Sequence, residues 1–206
     1  MSKFCPNCGT ELDDDAKFCM KCGQKLEPDH KKTKKKEAQR LPLSLSSLQV
    51  LAGRRYGYTP QQVLDTAQEL YERKLTTYPR SDCEYLPVNQ RKDVPHILAN
   101  LGKLPAGKLA EWVAGADGKI RSRAWNDSKI TAHHAIIPTH ALKENILESL
   151  PKGEQELLKL LAIRLITAAG EAHRYSETTV VLDCSGQRFT SKGKTILQPG
   201  WKSVEE

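Results

Sequence analysis

The sequence predicts an α+β chain in which a small zinc ribbon leads into a helix-rich domain and then a partial β-rich domain. Three observations predict it: two CxxC pairs near the N-terminus, amphipathic stripes of helical period between Leu41 and Ala168, and a β-branched run over TTVVLDCSGQRFTSKGKTILQ. The expected boundaries are a ribbon over 1–26, a basic linker over 27–40, a helical domain over 41–150 and a partial β-rich domain over 151–206.

The ribbon rests on FCPNCGTELDDDAKFCMKCG, where Cys5 and Cys8 form one pair and Cys19 and Cys22 the other, each followed by glycine. A short CxxC turn aims two sulfurs at one point, and two such knuckles close a tetrahedral thiolate site around structural zinc. So short a segment cannot bury enough surface to fold without the metal. Cys83 and Cys184 fall outside the pattern and are expected to be reduced thiols. The triplet Asp13-Asp14-Asp15 reads as a hydrophilic turn, because no strand precedes it to aim carboxylates at magnesium.

EPDHKKTKKKEAQR carries six Lys or Arg and almost nothing apolar, which predicts a solvated tether. From Leu41 the pattern changes. Leu45, Leu48, Leu51 and Ala52 form one helical stripe that ends at Gly57. Thr59-Pro60-Gln61-Gln62 then supplies a capping box with proline in the first turn, opening a helix that buries Val63, Leu64, Ala67, Leu70 and Tyr71. Two helices joined at a glycine turn resemble a helix-turn-helix, with Leu75 to Tyr78 as a following strand. Pro105, Gly107, Gly115, Gly118 and the polar RSRAWNDSK indicate loops around short elements. A helix over about 154–168, with Leu157, Leu158, Leu161, Leu165 and Ala168 inward, stops at Gly170. The last strands are expected to break at Ser185-Gly186 and Lys192-Gly193. Trp112, Trp125 and Trp201 read as packing residues.

The formal net charge is +7; four thiolates and one zinc ion would make it 7 − 4 + 2 = +5. That balance favours polyanionic partners. No apolar run is long enough for a membrane span and MSKFCPNCG has no secretory core, so the expected location is cytoplasmic.

Two stretches carry a resemblance. LSLSSLQVLAGRRYGYTPQQVLDTAQELYERKLTTYPRSD resembles the start of the active-site domain of type IA DNA topoisomerases, in the form closest to the topoisomerase III branch. AWNDSKITAHHAIIPT, residues 124–139, resembles a second signature of that domain, and RFTSKGKTILQPGWKSV the strands that return from it into the gate. The resemblance covers about residues 41–206. It implies that Tyr78 forms a 5′-phosphotyrosine link with single-stranded DNA, that Arg80 stabilises the transition state, and that His133 contacts the phosphate. His134 stands next to it as a supporting residue. Lys129, Arg121 and Arg123 would touch the strand's backbone.

The chemistry fits these residue types. A phenol can hold a phosphoryl group covalently through a reversible exchange of esters, so the energy of the broken bond is kept. A free tyrosine ionises near pH 10, so its attack needs a proton acceptor and cationic donors for the charge that develops. On an extended strand Arg80 and Asp82 would share a face with Tyr78, and Asp82 would orient Arg80. The family's acidic Toprim domain, which holds magnesium, has no counterpart in these residues. Magnesium is therefore expected only where a Toprim partner supplies the site. The expectation is a fragment that binds single strands and does not relax DNA alone. The alternatives are a non-catalytic zinc-ribbon and helix-turn-helix DNA-binding protein, and a ribbon that docks proteins on an inert scaffold.

Overall fold

The computed structural model describes residues 3–13, 16, 18–24, 29–184 and 187–204, without the side chains of Lys3, Asp29, His30, Asp183 and Cys184. The expectations for Asp14, Asp15, the Cys184 thiol and the Ser185-Gly186 turn lie outside these residues. The chain divides into two compact units, one of residues 1–35 and 174–197, the other of residues 36–173 and 198–206.

In the first unit, β1 (Lys3–Phe4) and β2 (Glu11–Leu12) pair antiparallel, Lys3 opposite Leu12 and Phe4 opposite Glu11. Each cysteine pair closes a tight turn: the Gly9 N–H donates to the Cys5 carbonyl and the Gly23 N–H to the Cys19 carbonyl, both at 2.8 Å. Gly9 and Gly23 both sit at φ 70°, a conformation that a Cβ disfavours.

The rest of this unit is a three-stranded sheet ordered β3-β4-β5, built from β3 (Asp29–Glu37), β4 (His173–Cys184) and β5 (Gln187–Gln198). The basic segment expected to be a solvated tether is therefore largely a strand. Its lysines are poor strand formers on their own, but the β-branched run of β4 offers a pairing partner. Lys35 Nζ lies 2.6 Å from Glu177 Oε1, and Lys194 Nζ stands 5.0 Å from the Tyr175 ring centroid. Nor does the chain break at Lys192-Gly193, since β5 runs through both residues.

The second unit holds the main core. In α1 (Leu45–Tyr56), Leu48 and Ala52 are buried; Ser44 caps the helix, its Oγ accepting from the Ser47 N–H while the Ser47 hydroxyl accepts from the Ser44 N–H. In α2 (Pro60–Glu72) the expected capping box is present at Thr59 and Gln62, and Val63, Ala67 and Leu70 are buried. Tyr71, expected inside, is exposed. The short elements expected among the loops include two helices, α3 (Val94–Gly102) and α4 (Leu109–Ala114).

The long α5 (Lys152–Ala169) buries Leu157, Leu158, Leu161, Leu165 and Ala168 as expected, along with Leu160 and Ile166. Each such leucine contributes about 1.5–3 kcal/mol when fully buried, so α5 is the helix on which α1 and α2 settle. Trp125 and Trp201 are buried, and the Trp201 indole N–H donates to the Glu37 carbonyl at 3.3 Å. Gly200 explains how the returning chain fits: at φ 56°, a Cβ there would lie 2.6 Å from the Ala172 carbonyl carbon.

Candidate active site and metal centre

The two signature segments are joined through backbone and two threonines. Thr76 bridges Pro138, and Leu43 bridges Ile136, each antiparallel. The Thr77 N–H donates to the Ile137 carbonyl at 2.9 Å, the Thr77 hydroxyl donates to the Ala135 carbonyl at 3.1 Å, and the Ile137 N–H donates back to the Thr77 oxygen at 3.0 Å. Thr139 completes the join, its N–H reaching the Leu75 carbonyl at 2.9 Å and its hydroxyl the Lys74 carbonyl at 2.6 Å. Lys74, at φ 62°, makes the left-handed turn that ends α2 and starts this segment.

Tyr78 follows directly. It does not lie in a regular strand: after the single bridge at Thr76 the backbone bends, and Pro79 removes the N–H that a ladder would need. Its ring is half-buried, with the His133 ring 4.4 Å away between centroids and tilted 38°, and the exposed Tyr71 ring edge-on at 5.7 Å. The structure thus brings together Tyr78 and His133 from opposite ends of the signature pair. Tyr71 is an addition that sequence reading assigned to the core, because it falls on the apolar stripe at the last turn of α2.

The other candidates are placed differently. His134 is held by the protein, with Nδ1 2.8 Å from its neighbour's carbonyl at Ala135 and Nε2 3.5 Å from Gln90 Nε2. Of the adjacent histidines, His133 is the exposed one. Arg80 and Asp82 are both exposed, and no ion pair joins them among the described residues. The expected orienting contact is absent because the bends at Pro79 and Arg80 remove the strand alternation on which it depended. Between them, buried Ser81 anchors the loop: its carbonyl accepts from the Leu45 N–H at 2.8 Å and its hydroxyl from the Cys83 N–H at 3.2 Å. The buried Cys83 thiol lies 3.5 Å from the Lys129 carbonyl, which ties in the loop carrying Lys129. Lys129 and Arg121 expose their side chains; Arg123 Nε donates to the Gln39 carbonyl at 3.1 Å.

The second candidate centre is the cysteine cluster. The sulfurs of Cys5, Cys8, Cys19 and Cys22 all lie within 4.8 Å of one another, with Cys5 to Cys22 and Cys8 to Cys19 at 3.5 Å. Zn–S bonds of about 2.3 Å in a tetrahedron put sulfurs roughly 3.8 Å apart, so the cluster fits a zinc ion. A hydrogen bond from the Thr10 hydroxyl, 3.2 Å from its sulfur, holds the Cys8 thiol down at about 6; burial pushes Cys5 up to about 11. Among the described residues this is the one cluster of three or more His, Cys, Asp or Glu at ligand spacing. Among the described residues no helix is long and apolar enough to cross a membrane.

Comparison with known proteins gives the family. The family described as DNA topoisomerase matches residues 10–206, beginning well ahead of Leu41 and so taking in β3. DNA topoisomerase 3 of Vibrio cholerae is 43% identical over 168 residues, 81% of this chain and 26% of that protein. The Haemophilus influenzae protein of the same name is 35% identical over 183 residues, covering 85% and 26%. The chain thus spans about a quarter of the length of these relatives. Full-length topoisomerase I from Thermotoga maritima shares the fold, with a TM-score of 0.62 at 20% identity over 87% of this chain and 29% of that one. With the family match spanning nearly the whole chain and its two signature segments stitched together around Tyr78 and His133, this protein belongs to the type IA DNA topoisomerases.

Proposed function

We propose that the chain binds single-stranded DNA and that Tyr78 is its cleaving nucleophile. The observation that carries this reading is the placement of the Tyr78 ring, half-buried and stacked beside the exposed His133 ring rather than enclosed in the core. In the reaction, the Tyr78 phenol gives up its proton to solvent and its oxygen attacks phosphorus; a new P–O bond joins it to the end that keeps the 5′-phosphate, the P–O3′ bond breaks, and the 3′ oxygen leaves and takes up a proton. Rejoining reverses each step. Arg80, exposed two residues on, supplies a guanidinium for the non-bridging oxygens, and His133 an imidazole donor within reach of the same phosphate. Tyr71 and His133 flank the phenol and limit its rotation. Lys129, Arg121 and Arg123 supply backbone contacts to the strand.

Magnesium, held by a Toprim domain outside these 206 residues, would neutralise charge on the phosphate and the leaving oxygen. Within this reading the 206 residues do not relax supercoiled DNA by themselves. The test supplies a Toprim domain from a relative, magnesium and an end-labelled single-stranded oligonucleotide. A denaturant-resistant protein-DNA adduct is expected from the natural chain and none from Tyr78→Phe. Tight binding with no adduct would overturn the catalytic reading in favour of a DNA-binding protein without chemistry.

A further inference from the structure

Apart from Tyr78, the second unit holds an open groove of about 580 Å³ alongside α1. Four arginines line it against the single acidic residue Glu84: Arg54, Arg164, Arg40, whose guanidinium carbon stands 5.4 Å from the Trp201 ring centroid, and Arg123, whose Nε is held by the Gln39 carbonyl. They come from four separate parts of the chain: the segment before α1, the last turn of α1, the loop before Trp125, and α5. Independent segments converging with one sign of charge are not the outcome of a solvated helix face, where opposite charges alternate. The groove also has an apolar wall, since Val50 lines it while 52% exposed. At the opposite end stands the start of α1. There Ser46 lines the groove, and its backbone N–H, second in the helix, has no hydrogen-bond partner among the described residues.

From Ser46 to Arg54 the helix rises about 12 Å. Donors at both ends of such a span, with apolar surface between, suit a chain that alternates phosphates with flat apolar groups. They suit a lone anion less well, because it would use one end only. We infer that this groove is a second backbone subsite for a single-stranded polynucleotide, separate from the phosphate that meets Tyr78. The inference rests on the DNA-binding reading above but not on the chemistry at Tyr78. It is tied to that centre mechanically: the Ser81 carbonyl that anchors the Arg80 loop accepts the first N–H of α1, and Glu84 on the same stretch lines the groove. A strand held there would be positioned by the element that also fixes the nucleophile's loop.

Arg54 offers a clean test, because it is exposed and has no ion-pair partner among the described residues. Lys103, exposed at the end of α3 and lining neither this groove nor the adjoining cavity that shares Arg40, Leu51 and Arg164 with it, serves as the control. Binding of a fluorescein-labelled oligothymidylate is measured by anisotropy at stepped salt concentrations. Arg54→Glu is expected to weaken binding about threefold to tenfold and to lower the salt slope by roughly one, as loss of a phosphate contact does. Lys103→Glu is expected to leave affinity and slope near the natural values. Should Arg54→Glu fail to fold, Arg54→Gln carries the test with the same readout. Unchanged affinity and slope in the Arg54 variant, equal losses in both variants, or polyglutamate binding as tightly as the oligonucleotide would each overturn the inference. Adduct formation at Tyr78 is read separately, so loss of one result leaves the other standing.

Discussion

Thr77 shows how much of the centre depends on one hydroxyl. It donates to the Ala135 carbonyl and accepts from the Ile137 N–H, and both partners are buried. Thr77→Val keeps the shape and removes both bonds, leaving a buried N–H without its acceptor. A loss of about 1–3 kcal/mol is expected in urea unfolding, since an orphaned buried donor costs its full desolvation. Tyr78 and His133 were legible as a pair because each sits in a distinctive motif. Their stacking was not, since it depends on Thr77 fixing the spacing between two segments more than fifty residues apart. Arg80 and Asp82 illustrate the opposite error. Assuming a strand gave them a shared face, and the proline between Tyr78 and Arg80 was the local signal against that assumption.

Among the helices, α2 and α5 were readable from periodicity and capping, but the contact between them was not. Arg73, the residue that ends α2, places Nε 3.1 Å from Glu154 Oε2 in the first turn of α5, and that glutamate is only 2% exposed. Burial holds the Glu154 carboxyl above its usual value of 4.5, opposed by Arg73 and reinforced by Glu69. A raised carboxyl favours the folded state most when protonated. Its contribution is therefore fully present below the unfolded pKa and lost as pH rises from about 4.5 through the higher folded pKa. Glu154→Gln should remove that slope, so thermal melts of the variant gain on the natural chain as pH rises from 4 to 7. Parallel pH profiles would refute the assignment. The short elements α3 and α4 were expected without type or bounds for a simpler reason: prolines and glycines at their borders dominate so brief a pattern.

At the level of the whole chain, the four cysteines and the helical core were plain in the sequence, whereas the sheet formed by β3 was not. A row of lysines has no apolar alternation, so its strand state comes from its neighbour and not from its own residues. The ribbon should behave as a metal-dependent part. One zinc ion per chain is expected by elemental analysis, and a strong chelator should abolish ribbon structure while the helical signal of the second unit persists. Loss of the far-ultraviolet helical signal on chelation would contradict the division into units.

The position of β3 in its sheet has a further effect. As an outer strand it presents unpaired backbone groups, and no fourth strand joins it among the described residues. An open margin of that kind ordinarily recruits identical chains into aggregates. Here Lys31, Lys32, Lys34 and Lys35 all expose their side chains, and two such margins brought together would set ammonium against ammonium. Repulsion between copies disfavours the edge-to-edge pairing that an uncharged strand in the same place would invite.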